Sequence, residues 1–266
     1  MSSLTISLVQ THLFWEDKKA NLAMLETKIM GIPEKTELVV LPEMFSTGFS
    51  MQPQKLAESM DGETVNWMKK IAAAKKIILT GSVIISEDGH YVNRLLWVLP
   101  NGKLGFYDKR HRFAFAGEQE EYTRGNKRLI VSVKGWKINL QVCYDLRFPV
   151  WARQQSKEIP EYDILLYIAN WPERRNHAWK TLLTARAIEN QCYVIGVNRV
   201  GEDGNGINHS GDSMVIGALG ETLYHHAAGE DIHTIVLQKE PLQEIRDRFP
   251  FWKDADEFKI IQTNGE

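Results

Sequence analysis

Apolar and polar positions alternate first over residues 4–9, where Leu4, Ile6 and Leu8 stand two apart. That period belongs to a strand. From Asp17 the spacing changes. Leu22, Leu25 and Ile29 fall on one face of a helix, with Asp17 placed to cap it and Gly31-Ile32-Pro33 to stop it. Residues 38–41 are all apolar and β-branched at Val39 and Val40, which suits a strand buried on both faces. The pattern then predicts a helix over 63–75 and a buried strand over 77–85. A hairpin follows, with arms at 93–99 and 102–107 around Pro100-Asn101-Gly102. Further strands are predicted at 138–142, 164–169, 193–197, 214–216 and 232–237. Helices are predicted at 177–190, where Trp179, Leu182, Leu183 and Ile188 are helically spaced, and at 241–248.

Strands alternating with helices predict an α/β fold with a mixed sheet and helices covering it. No Pro/Gly/Ser-rich linker interrupts residues 1–266, so one domain is expected. The chain is 43% hydrophobic and 25% charged, enough to build a large core. Its formal net charge of −2 gives no general pull toward nucleic acid or anionic membrane. The N-terminus lacks a basic region before its apolar residues and reads as a first strand, not a signal peptide. No apolar run approaches the ~20 residues that span a bilayer. With only Cys143 and Cys192, no disulfide framework is possible, and a cytoplasmic protein with reduced thiols is expected.

Three predicted strands end in chemically useful residues. Glu43 follows Leu38 to Pro42, Lys109 follows Gly105 to Asp108, and Cys143 follows Leu140 to Val142. Strand C-termini are where α/β proteins gather catalytic groups. A lone Cys is most often a small buried hydrophobe. Cys143, however, enters the polar segment Tyr144-Asp145-Leu146-Arg147, and a turn there would present the Tyr144 N–H to an oxyanion. A Cys nucleophile needs a proton acceptor or a cation. None of the eight histidines stands out in the sequence. Glu43 as acceptor and Lys109 as cation offer another solution, against the alternative of a structural ion pair or two separate surface groups.

Leu41-Pro42-Glu43, Tyr107-Asp108-Lys109-Arg110-His111 and Val142-Cys143-Tyr144-Asp145-Leu146-Arg147-Phe148-Pro149 resemble, in order and spacing, the three catalytic motifs of the nitrilase superfamily of carbon–nitrogen hydrolases. The resemblance runs from residue 4 to about residue 240. The segments from Cys143, from Ala169 to Pro172 and from Ala185 to Asn190 look most like its omega-amidase branch. The resemblance implies a four-layer α-β-β-α sandwich, paired across helical faces into an eight-layer homodimer. It implies hydrolysis of the distal amide of 2-oxoglutaramate or 2-oxosuccinamate, a small-molecule substrate, through a Cys143 thioester, with neither metal nor organic cofactor. It also implies a second glutamate. Glu118 fits best among Glu118, Glu120 and Glu121, being four residues before Tyr122, with Gly125 beyond.

A keto acid carboxylate calls for an arginine fork. Arg147 is the first candidate, Arg174 and Arg175 are rivals, and an ion pair of Arg147 with Asp145 or Glu189 is the structural alternative. Phe45, Tyr144 and Trp171 are expected to wall the pocket. Among other features, the basic run Lys109 to Arg112 is too short, in a charge-balanced chain, to suggest nucleic acid. His225, His226 and His233 lack metal-ligand spacing and are expected in a surface loop. Gly201 to Gly206 is expected to be a plain turn, and Cys192 to be packing. The competing functions are nitrile or N-carbamoyl amino acid hydrolysis on the same triad, hydrolysis of a different amide, a His-dependent cysteine hydrolase, and a non-catalytic binding protein on this fold.

Overall fold

The computed structural model describes residues 2–261. In chain order it forms β1 (Ser3–Gln10), α1 (Lys18–Met30), β2 (Leu38–Val40), α2 (Pro53–Leu56), α3 (Glu63–Lys75), β3 (Ile78–Glu87), β4 (His90–Val98) and β5 (Leu104–Asp108). After these come α4 (Glu118–Glu121), β6 (Ile130–Val133), β7 (Trp136–Val142), α5 (Pro149–Ala152), β8 (Ile164–Ala169), α6 (Asn176–Asn190), β9 (Tyr193–Asn198), β10 (Val200–Glu202), β11 (Asn208–Ile216), β12 (Thr222–Ala227), β13 (Asp231–Gln238) and α7 (Lys239–Arg248).

The strands make two mixed sheets. One has the order β13-β1-β2-β3-β4-β5, and the other β10-β11-β9-β8-β7-β6 with β12 paired to β11. β1, β2 and β3 run parallel, as do β7, β8 and β9. Burial follows the two-residue period of a strand. Leu38 and Val40 join Leu4, Ile6 and Leu8 against Ile138, Leu140 and Val142, filling the space between the sheets. Val39 and Leu41 point the other way, to Leu22, Leu25 and Ile29 of α1 and to Met68 and Ile71 of α3. On the far side Trp179, Leu183 and Ala187 of α6 pack on the second sheet. The result is the four-layer α-β-β-α sandwich. No helix among the described residues is long and apolar enough to cross a membrane.

The Asp17 cap forms, its Oδ1 accepting the Ala20 N–H at 3.0 Å. Several elements exceed the apolar pattern. β3 and β4 are joined by Asp88-Gly89, both at positive φ (51° and 77°), a tight hairpin turn that the apolar run, starting only at Val92, conceals. β11 starts at Asn208, not residue 214. Its first half is polar, and bonds such as Gln10 Oε1 to the Ser213 N–H take the place of apolar burial. His225, His226 and His233 are not in a loop. The first two lie on β12 and the third on β13, with His225 Nε2 2.8 Å from Asp212 Oδ1 and His233 stacked on Tyr224. Cys192 is fully buried, and burial pushes its thiol up to about 12.

α6 reaches its close contact with β9 because Gly196 has no side chain. A Cβ there would stand 2.5 Å from Leu183 Cδ1 and 2.8 Å from Trp179 Cζ2. Gly196→Ala is therefore expected to destabilise the protein by about 1–3 kcal/mol through overpacking. Chemical denaturation of the two proteins measures this.

Candidate active site

The strand ends of both sheets meet at one buried cluster. β2 leads through Pro42 to Glu43, β5 to Lys109, and β7 to Cys143, which opens a 3₁₀ turn, Cys143–Arg147. Glu43 and Glu118 are fully buried, and Lys109 is 2% exposed. Lys109 Nζ donates to Glu43 Oε1 at 2.9 Å and to both oxygens of Glu118, each at 2.9 Å. Glu118, at the start of α4, also accepts the Phe113 N–H at 2.5 Å. The other two acids of that helix, Glu120 and Glu121, face away to Gln119 and Gln54.

Glu43 is held on every side. Asn93 Nδ2 donates to its Oε1 and the Asn170 N–H to its Oε2, both at 2.8 Å, and Asn170 Nδ2 donates to its backbone carbonyl. Asn93 escaped the sequence reading. Its one signal is a polar residue inside the apolar run of β4. Cys143 lies beside this group, 9% exposed, its Sγ 4.0 Å from the Asn170 carbonyl oxygen. Its backbone takes φ 44°, a left-handed conformation that costs a non-glycine residue energy and turns the side chain sharply out of β7.

Burial, the Glu43 charge beside it and a hydrogen bond to Glu43 push the Cys143 thiol well up, with Lys109 opposing. Burial also raises the Glu118 carboxyl, against the pull of Lys109. For Lys109 the two carboxylates outweigh burial, so its ammonium is held protonated. At rest the site therefore contains a thiol, not a thiolate, next to a carboxylate and a fixed cation.

Asp145 ties the two loops together. Its Oδ2 accepts the Tyr107 hydroxyl at 2.7 Å and the Val142 N–H at 3.0 Å. Its Oδ1 accepts the His111 N–H at 2.9 Å and lies 2.8 Å from His111 Nδ1. The segment carrying Lys109 and the turn carrying Cys143 thus share one buried anchor. Gly125 adds a second constraint: its N–H bonds the Lys109 carbonyl, and a Cβ there would fall 2.0 Å from the Asp108 carbonyl oxygen.

Cys143 forms part of the lining of a cleft of about 380 Å³, with Phe49, Tyr144, Trp171, Arg147, Arg174 and Arg175. Phe45 is not a wall. The turn after Glu43 sends it back into the core, fully buried against Gly81 and Trp67, and Phe49 takes its place. Arg147 pairs with neither Asp145 nor Glu189. Its guanidinium lies 5.0 Å from the Trp171 ring centre, while Glu189 bonds Arg186. Arg175 lies 5.0 Å from the Phe113 ring centre, and none of the three arginines has a carboxylate partner among the described residues. Burial and the neighbouring arginines lower Arg175, while Cys143 raises it. The Gly-rich segment is more than a turn. It joins β10 to β11, Asp203 Oδ1 accepting the Asn205 and Ile207 N–H groups, and Asn205, Ile207 and His209 face the cleft.

This fold is that of a known class. The chain belongs to the carbon–nitrogen hydrolase family, whose model matches residues 5–247. It is 46% identical to the omega-amidase YafV of Escherichia coli (strain K12), covering 98% of this chain and all of that protein. It is 28% identical to the 2-oxoglutaramate amidase of Bacillus subtilis over 94% of this chain and 96% of the relative. Among solved structures, XC1258 from Xanthomonas campestris, a CN-hydrolase superfamily protein with an arsenic adduct in the active site, superposes with a TM-score of 0.95 at 45% identity. That match covers 98% of this chain and all of the other.

His209 makes a pH prediction. Burial, then Arg199, lowers it from 6.5 to about 4. Below pH 6.5 the unfolded chain takes up this proton, while the native chain does so only near pH 4. Stability therefore falls on acidification through that window, by about 2 kcal/mol at pH 5. Urea unfolding at pH 7 and pH 5 should show a smaller acid loss for His209→Gln than for the parent.

Proposed function

We propose that this protein is an omega-amidase, hydrolysing the distal amide of small dicarboxylic keto acids such as 2-oxoglutaramate and 2-oxosuccinamate to the acid and ammonia. The observation that carries this is one cleft lined both by Cys143, the outermost member of the Glu43–Lys109–Glu118–Cys143 cluster, and by three arginines with no carboxylate partner among the described residues. Kinship with proteins named omega-amidase and 2-oxoglutaramate amidase supports it.

In this reading Glu43 takes the Cys143 proton as sulfur attacks the amide carbon. The C=O π pair moves to oxygen, and the oxyanion is stabilised by the Lys109 ammonium and the Tyr144 N–H, groups of a kind worth roughly 3–4 kcal/mol each in a dry site. Glu43 returns the proton to the leaving nitrogen, the C–N bond breaks, and ammonia departs from a thioester. Glu43 then deprotonates water for attack on the thioester, and the released sulfur recovers its proton. Glu118 holds Lys109 in place. The arginines hold the keto acid carboxylate, with Tyr144 and Trp171 as walls. Arg147 stacks on the Trp171 wall, and Arg175 lies near enough to Cys143 to feel its charge. The protein would act in the cytoplasm, as a homodimer joined through helical faces.

Cys143→Ala is expected to fold and to lose turnover. An active, folded variant overturns the scheme. Ammonia release should be fast from the two keto-amides and slow from glutamine, an N-carbamoyl amino acid and a simple nitrile; the reverse ranking overturns the substrate assignment. Arg147→Ala and Arg175→Ala, measured singly, should raise KM for 2-oxoglutaramate about 10- to 100-fold where the guanidinium binds the carboxylate, while sparing a neutral short amide.

A further inference from the structure

Asn93 breaks an apolar face. It shares the side of β4 that carries Leu95 and Trp97 into the space between the sheets, and it is 1% exposed. Its backbone carbonyl accepts the Lys109 N–H at 3.0 Å, and its side-chain Nδ2 donates to Glu43 Oε1 at 2.8 Å. Its Oδ1 is buried with no partner among the described residues. An apolar side chain of the same shape would spare the strand that orphaned acceptor. The one side-chain bond of Asn93 goes to Glu43, so what the amide does, it does to that carboxylate.

The two oxygens of Glu43 are not equivalent. Each carboxylate oxygen has about two lone-pair sites. At Oε1 both are taken, by Asn93 Nδ2 and by Lys109 Nζ at 2.9 Å. At Oε2 one is taken, by the Asn170 N–H at 2.8 Å, and the carbonyl oxygen of that same residue lies 4.0 Å from Cys143 Sγ. The open site is therefore on Oε2, the oxygen held by the residue that also borders sulfur.

We propose that Asn93 is a positioning residue for the reaction: together with Lys109 it fills Oε1 and fixes the plane of the carboxylate, leaving Oε2 to handle the proton. In this assignment, which rests on Glu43 and Cys143 acting as proposed above, the S–H proton passes to Oε2 as sulfur bonds the amide carbon. It passes from Oε2 to nitrogen as the C–N bond breaks. Lys109 alone does not set the plane. Its ammonium is a compact charge with rotatable donors, and Glu118 shares it, whereas a planar amide held by a strand donates in one direction. The reversed amide of Asn93 would set two acceptors face to face, so the donor stays on Glu43.

The test is the kinetics of Asn93→Leu, which keeps the size of the side chain and removes the donor, beside Glu43→Gln. Ammonia release is measured on 2-oxoglutaramate, 2-oxosuccinamate, glutamine and an N-carbamoyl amino acid. The comparison uses whichever the parent cleaves fastest, so it does not hang on the substrate assignment. With Oε1 open the carboxylate turns, and kcat should fall about 10- to 100-fold while KM stays within about threefold of the parent. Circular dichroism should show the parental fold. Should Asn93→Leu fail to fold, Asn93→Ala, whose smaller side chain cannot crowd its neighbours, carries the same comparison. A folded variant with the parental kcat, or one whose KM rises while kcat holds, overturns the proposal alone, provided Glu43→Gln is inactive. An active Glu43→Gln, or a parent inert to all four compounds, overturns the reading of Glu43 as base or of the protein as an amidase, and the proposal with it.

Discussion

The structure turns on one buried ammonium. Lys109 sits between Glu43 and Glu118 with all three groups withdrawn from water. Taking such charges out of water costs several kcal/mol each, and only close, well-directed partners offset it. The three groups come from different places: the end of β2, the end of β5 and the start of α4. The fold must therefore hold three separate backbone segments to hydrogen-bond accuracy, and the surrounding bonds are arranged for that. Asn93 and Asn170 fix Glu43, the Phe113 N–H fixes Glu118, and Gly125 fixes the backbone of Lys109.

The same cluster decides where the resting proton lies. Burial and the neighbouring Glu43 push the Cys143 thiol well up despite Lys109, so sulfur stays protonated. In the proposed reaction the negative charge never rests on sulfur. It passes to the substrate oxygen, against Lys109 and the Tyr144 N–H, while Glu43 receives the proton. Asp145 makes this possible at a distance from the chemistry. By binding the Val142 N–H and His111 together, it fixes the turn of Cys143 relative to the segment of Lys109.

Much of this was legible in the residues. The two-residue period marked β1, an all-apolar run marked β2, and β7, β8 and β9 were also legible as strands, because each has an apolar face or two. Its failures are physical as well. β11 begins with the polar residues Asn208, His209 and Ser210, and it is held by bonds that only folding brings together, such as that of the Ser213 N–H to Gln10, more than two hundred positions away. β4 opens on His90, directly after the Asp88-Gly89 turn, instead of on an apolar run. Glu43, Lys109 and Cys143 could be singled out at strand ends, and motif order tied them together. Phe45 could not be told from Phe49, since both follow Glu43 within one turn segment and only the path of the chain decides which faces the core. The Asp203–Ile207 segment reads as a turn because it is one. That its far side faces the cleft depends on the antiparallel pairing of β10 with β11, which no local pattern encodes.

In the proposed function the two ends of the cleft differ in sign, and that difference would orient the substrate. The catalytic end has an excess of carboxylate. The arginine end has Arg147, Arg174 and Arg175 with no acidic partner among the described residues. Over such a short span in a partly dry cleft, the field between these ends is screened far less than it would be in bulk water. A keto acid amide has a charge at one end and none at the other. In that reading its carboxylate would be attracted to the arginines and kept from Glu43 and Glu118, so the neutral amide would be the end that reaches Cys143. A free dicarboxylate, the product, carries a second charge that the catalytic end repels. The arrangement that selects the substrate's orientation therefore also weakens the hold on what the reaction makes.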